Sequence, residues 1–304
     1  MSTATRLGAY VVGLAILFGV ATGVGQAVGP VAFLAGSTAG SAPVHHGDAT
    51  AAHAAVGDEA DRRRAGLPGG LLVSDQGYRL SVEHTELPAG RATPVSFHVL
   101  GPDGEPVNDY DVLHDKQLHL IAVRRDLSGF AHVHPTLDAT GRWTAPIRLS
   151  PGSWRLFADF APAELGDNLI LGGDVSVSGG YRAQALPPPS TTAHVDGYAV
   201  TLVGRLTAGE QSELTFTVSR AGEPVTDLQP YLAAYGHLVA LRVGDLAYLH
   251  VHPADEAVND TSIGGPAVTF AATAPSAGSY RLFLDFKHEG VVRTVALTVR
   301  ACSA

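Results

Sequence analysis

Two histidines one residue apart, His132 and His134, follow a third, His119, at a distance that suits neighbouring strands, and His237, His250 and His252 repeat the arrangement. Neutral imidazole is a ligand for zinc and divalent copper, and it is also the side chain whose charge changes near neutral pH. On an extended strand, residues i and i+2 face one side, so each HVH presents two rings together while Val133 or Val251 turns the other way. Whether His119 joins them is a question of turn parity. An even turn, such as Arg125 to Ser128, sets Arg124 opposite Gly129 and His119 opposite His134 on a shared face. An odd turn sends His119 behind the sheet. The first outcome brings three imidazoles within reach of one ion, provided their nitrogens converge to within about 4 Å of each other. Asp159 and Asp285, acidic residues inside otherwise apolar RLF-x-DF strands, are candidates for a fourth ligand. Each is equally expected to pair with Arg155 or Arg281, four residues earlier on the same face.

The structural alternative is as concrete. A histidine recurring in a repeat also serves as a buried partner for a backbone carbonyl, and HVHP reads as a strand end at which Pro135 or Pro253 stops pairing. His98 and His114 belong to the first copy alone and His288 to the second, so they specialise one site at most. Sulfur chemistry is nearly absent, because Cys302 is the only cysteine and Met1 the only methionine. That excludes an internal disulfide and a thiolate copper site, leaving imidazole and carboxylate as donors. No nucleophile elbow, phosphate-cradling glycine loop or HExxH helix is present. Three histidines and a water would support zinc hydrolysis in principle, yet no general base is placed beside them, so an enzyme is not expected.

The elements that must position these rings come in two copies. Residues 104 to 135 align without a gap with residues 222 to 253, and thirteen of these 32 positions are identical, including HVHP at the end of both. GSWRLFADF at 152 to 160 answers GSYRLFLDF at 278 to 286, with eight extra residues in the second copy between the two matches. Short alternating strands dominate, such as YRLSVEH, TPVSFHVL and LHLIAVRR in the first copy and YAVTLVGR, SELTFTVSR and HLVALRV in the second. Gly, Pro and Asp turns separate them. The expectation is an all-β chain with two tandem β-sandwich domains, over residues 71–180 and 194–301, joined by a Pro-rich spacer over 181–193. Immunoglobulin-like and cupredoxin-like topologies look alike at this level.

Ahead of the repeats, residues 7 to 36 contain no charged side chain, longer than the roughly 20 apolar residues a helix needs to cross a bilayer. We expect an N-terminal transmembrane helix over 1–35, retained as an anchor; the alternative is a signal sequence cut at the small residues Ala35 to Ser37 or Ser41 and Ala42, which would leave the chain secreted. Arg6 beside it places the N-terminus in the cytoplasm and the rest outside, and the membrane is then one partner of the chain. Residues 36–70, with His45, His46 and His53, read as a flexible stalk. The formal charge of -9 with only 20 basic residues argues against nucleic acid, since phosphate binding needs clustered Lys and Arg. Arg62 to Arg64, the one basic cluster, reads as a solvated part of the stalk.

The pattern HxKxLHLIAVRRDLSGFAHVHP followed by PGSWRLFADF, His114 to Phe160, resembles the YtkA-like β-sandwich proteins, secreted or membrane-anchored in high-GC Gram-positive bacteria. The second copy, GHLVALRVGDLAYLHVHP to YRLFLDFKHEG, resembles the same group. The resemblance implies a sandwich topology, an extracytoplasmic compartment and an association with copper handling. Two functional expectations follow. One is a non-catalytic surface protein binding Cu(II) or Zn(II) through His119, His132 and His134, with a second site at His237, His250 and His252. The other is an adhesion or assembly module that presents a face to a surface protein, with structural histidines.

Overall fold

The computed structural model describes residues 67–89, 93–254, 258 and 262–303. The expected anchor, the stalk histidines and the basic triplet lie outside these residues. Among the described residues no helix is long and apolar enough to cross a membrane.

Each copy folds as two sheets that meet across an apolar core. In the first, one sheet runs in the order Ser74–Asp75, Tyr78–Val82, Thr93–Leu100, Arg142–Ile147, Thr136–Leu137. The facing sheet runs Glu86–Leu87, Leu169–Val177, Gly152–Pro162, Leu118–Arg124, Phe130–Val133. In the second copy, Thr192–Val195, Tyr198–Gly204, Gln211–Arg220, Ala267–Thr273 and His250–Pro253 form one sheet. Leu206–Thr207, Val291–Cys302, Gly278–His288 and Gly236–Arg242 form the other. Period-two alternation delivers one set of side chains to each interior. Phe97, Trp143, Leu120, Leu156 and Phe160 fill the first, and Phe216, Phe270, Tyr280, Leu238 and Leu284 the second.

A third apolar cluster belongs to neither interior. Ile121, Val123, Leu127 and Phe157 of the first sandwich pack on Val239, Leu241, Leu246, Tyr248 and Phe283 of the second. Ile121, Val123, Val239 and Leu241 are the outward-facing residues of Leu118–Arg124 and Gly236–Arg242, whose alternate residues already line the two cores. Both strands are therefore covered on two sides, which is why LHLIAVR is buried at every position. Phe130 and Phe283 stack across the contact with ring centroids 4.3 Å apart.

The expected spacer over 181–193 ends two residues early, since residue 192 already belongs to a strand. Residues 178–191 carry no strand, Leu186 packs on the apolar contact, and Thr192–Val195 is already the first strand of the second sandwich. The two sandwiches lie within one compact unit. A segment before the first strand joins them further. The Gly70 carbonyl accepts from Arg155 Nε at 2.9 Å, and the Gly69 carbonyl accepts from the Tyr248 amide at 3.1 Å. The segment lies so close to Leu169–Val177 that a Cβ on Gly172 would sit 2.0 Å from the Gly70 oxygen, a separation only glycine tolerates.

Truncating Phe130, which is half-buried and stacks on Phe283, is expected to remove the ring contact without opening either core. Phe130→Ala should cost about 2 kcal/mol, below the 3–5 typical of a fully buried Phe. Urea unfolding of the full-length chain measures it.

Candidate functional site: an imidazole cluster between the sandwiches

The hairpin that carries HVH in the first copy turns on four residues. The Arg124 amide donates to the Gly129 carbonyl at 3.0 Å, and Val123 pairs with Phe130, Ile121 with His132 and Leu120 with Val133. One step further, His119 faces His134. Val133 packs into the first core, and the histidines point the opposite way, toward the second sandwich. His119 is 2% exposed.

Neighbouring groups fix how the rings are protonated when neutral. His119 Nε2 lies 3.0 Å from the Leu113 carbonyl, which can only accept, so Nε2 carries the hydrogen and Nδ1 keeps the lone pair. His132 Nδ1 lies 2.9 Å from Asp285 Oδ2, so Nδ1 carries the hydrogen and Nε2 keeps the lone pair. The two remaining nitrogens, His119 Nδ1 and His132 Nε2, face each other at 3.1 Å. Two lone pairs at that distance repel unless a cation lies between them. His134 adds a third ring, with its centroid 5.0 Å from that of His119 and 4.9 Å from that of His132, and its Nε2 is buried without a hydrogen-bond partner. One nitrogen from each of His119, His132 and His134 lies within 4.8 Å of the other two. That limit is somewhat wider than the roughly 3.3 Å edge of a tetrahedron with bonds near 2.0 Å, so the rings would draw together on an ion.

The second sandwich completes the cluster. His237 and Asp285 are cross-strand partners on its outward face, as His119 and Asp159 are on the first. The His237 ring lies 4.7 Å from His132 and stacks on His119 at 5.5 Å, and its Nδ1 is buried without a partner. His132, His237 and Asp285 form a second group whose ligand atoms lie within 4.8 Å of each other. Thr294 donates its hydroxyl to Asp285 Oδ1, which steadies the carboxylate.

Burial keeps His119, His134 and His237 neutral, the form that binds metal. It pushes His119 down to about 3, against the upward pull of the Leu113 carbonyl, and His134 down to about 4, with His132 adding to the effect. His237 is held well below the ordinary imidazole value by burial and by its histidine neighbours. Burial also raises Asp159 to about 6, opposed by a hydrogen bond to Asn168, and Tyr231 to about 12, helped by the charge of Asp285.

Two expectations are corrected here. Asp159 and Asp285 do not pair with Arg155 and Arg281. Residues four apart on a strand share a face but stand about 13 Å from each other, beyond the reach of a salt bridge. Arg155 instead binds the Gly70 and Leu71 carbonyls and Asp174, and Arg281 binds Thr298. Of the two acids, Asp285 enters the cluster, whereas Asp159 stays beside it as a near charge.

The second triplet does not assemble as a copy of the first. Its hairpin starts in the equivalent register, with the Leu249 amide donating to the Ala240 carbonyl at 2.9 Å. The backbone then crosses to the opposite sheet, where His250 pairs with Thr273 and His252 with Ala271. The first copy makes the same crossing only after Pro135, where Thr136 pairs with Thr144. Eight extra residues follow HVHP in the second copy, where the segment pairs over four residues with Ala267–Thr273, and His132 of the first sandwich lies beside His237. Among the described side chains, the first triplet and His237 meet in one composite cluster. Residues that sequence reasoning passed over are Leu113, Thr294 and Tyr231. His114, which belongs to the first copy alone, has its ring 6.2 Å from His119 and 6.0 Å from His237, at the border of the cluster.

The repeat is also visible to comparison with known families. A family model described as a domain of unknown function (DUF8832) matches residues 73–168 and again residues 193–303. The chain belongs to this family. A search of curated proteins finds no match. Among solved structures, the Escherichia coli adhesin FdeC is 18% identical, with 74% of this chain and 65% of that one covered and a TM-score of 0.26. The Yersinia pseudotuberculosis adhesin InvE is 13% identical, with 74% and 59% covered and a TM-score of 0.21. Domains 4 and 5 of the S-layer protein SbsC are 11% identical, with 76% and 98% covered and a TM-score of 0.22. The chain thus spans less than two thirds of the two adhesin chains, and at these identities the likeness goes no further than an all-β build.

Proposed function

We propose that this chain is a non-catalytic, extracytoplasmic surface module in which the first β-sandwich holds a divalent transition ion, copper or zinc, at its contact with the second. His119, His132 and His134 are its ligands. Asp285, reaching over from the other sandwich, orients His132 as a carboxylate commonly orients a metal-bound imidazole. One observation carries this reading: His119 Nδ1 and His132 Nε2 face each other at 3.1 Å beside a third buried ring. A proton would relieve the facing pair but leave the buried His134 nitrogen unserved, whereas an ion serves all three. The uncharged run at 7 to 36 and the polar stretch after it support display outside a membrane.

A second reading is a surface adhesion or assembly module with structural histidines. It is favoured by the fact that a proton on His132 would satisfy both Asp285 and His119 without an ion. Calorimetric titration of the full-length chain with Cu²⁺ and with Zn²⁺ separates the two. The metal reading expects saturable binding that weakens at least about a hundredfold, or about 2.7 kcal/mol, in His134→Ala. Identical isotherms for both proteins would favour the structural reading.

A further inference from the structure

The two nitrogens of His132 look into different ligand sets. Nε2 faces His119 Nδ1 at 3.1 Å, with His134 alongside. Nδ1 faces Asp285 Oδ2 at 2.9 Å, with His237 alongside. The seat proposed above uses the first set and leaves a second group of three donors on the far side of the same ring. That group is built rather than incidental. His237 Nδ1 is buried without a hydrogen-bond partner, and Asp285 is 2% exposed and anchored by Thr294. Its donors lie within 4.8 Å of each other, as close a limit as the first set meets.

From this geometry we infer a second metal seat, formed by His132 Nδ1, His237 and Asp285, so that His132 bridges two divalent ions across the sandwich interface. The inference rests on the first seat for the bridge and on His237 and Asp285 for the second ion. Filling the second seat requires the Nδ1 hydrogen of His132 to leave for solvent, after which each ring nitrogen binds one ion. Imidazole in this form is an anionic ligand. Together with the Asp285 carboxylate it offsets part of the charge of two cations held close together, which neutral rings alone would not do. Both nitrogens are soft enough for Cu²⁺, the better choice for a fully nitrogen-rich first seat.

The test is copper stoichiometry on the purified full-length chain, dialysed against Cu²⁺ and read by elemental analysis together with electron paramagnetic resonance. Two Cu²⁺ ions joined by one imidazole ring couple magnetically, so the wild type should show less signal than its copper content requires. His237→Ala should lose one copper per chain and restore the missing signal, and His134→Ala should lose one copper from the other seat. If His237→Ala fails to fold, Asp285→Asn removes the same seat with little change of shape and carries the same expectation. Copper content unchanged by His237→Ala and Asp285→Asn, but reduced by His134→Ala, would overturn the second seat and leave the first standing. Copper lost in His237→Ala but not in His134→Ala would overturn the first seat and the bridge. Unchanged content in all three variants would overturn both.

Discussion

Replacing His132 with alanine is expected to weaken Cu²⁺ and Zn²⁺ binding by on the order of a thousandfold, or about 4 kcal/mol, the largest loss from any single histidine. The reason is position. His132 is the one ring that touches both His119 and Asp285, so its removal deletes a ligand and disconnects the sandwich that orients it. Asp285→Asn separates these effects. It keeps the volume and an acceptor for His132 but lowers the basicity of the ring, and a change of this kind typically costs ten- to a hundredfold in metal affinity. Titration of both variants should give that order, and an Asp285→Asn loss equal to that of His132→Ala would mean that the carboxylate is itself a principal ligand of the tighter seat.

The metal-free protein is expected to lose stability steeply in mild acid. An unfolded imidazole titrates near 6.5, whereas burial holds His119 at about 3 and His134 at about 4 in the fold, with His237 also well below 6.5. Between these limits the unfolded chain binds protons that the folded chain refuses, so stability rises with pH there and falls as pH falls. The contribution of the neutral rings is complete above about pH 6.5 and is lost progressively toward the folded values. For His119 the slope is about 1.4 kcal/mol per pH unit, or about 3 kcal/mol by pH 4. That is a large share of the 5–15 kcal/mol that holds a typical domain together. Urea midpoints measured from pH 7 to pH 4 should drop accordingly, and His119→Gln, which does not titrate, should flatten the curve. A flat wild-type curve would mean that the folded rings take up protons as readily as unfolded ones.

Much of the fold was legible because its signals are local. YRLSV, TPVSFHVL and the paired RLF-x-DF strands alternate with period two, and the repeat divides them into two sets. The face of His119 was legible only as a choice between two turn parities, and the four-residue turn after Arg124 selects the one that joins it to His134. What the sequence obscured is pairing between distant elements. LHLIAVR is apolar at both alternating sets, a mark of a strand covered on two sides, but nothing local says that the second cover is the other sandwich. Near-identical HVHP segments invite identical placement. Yet the backbone at His250 crosses to the opposite sheet where that at His132 does not, and nothing in the four shared residues distinguishes the two paths. Asp285 was read as a candidate ligand within its own domain, whereas its partner lies 153 residues away in the chain, in the first sandwich.

A crystal of the full-length chain grown with Cu²⁺ and read by anomalous scattering decides whether one ion sits between His119, His132 and His134. The account predicts an anomalous peak bonded to His119 Nδ1, His132 Nε2 and a nitrogen of His134 at about 2.0 Å, with the Asp285 carboxylate on the far side of His132. A peak found only on the histidines outside the interface, with His119 Nδ1 and His132 Nε2 still facing each other at 3.1 Å across nothing but a shared proton, would contradict it.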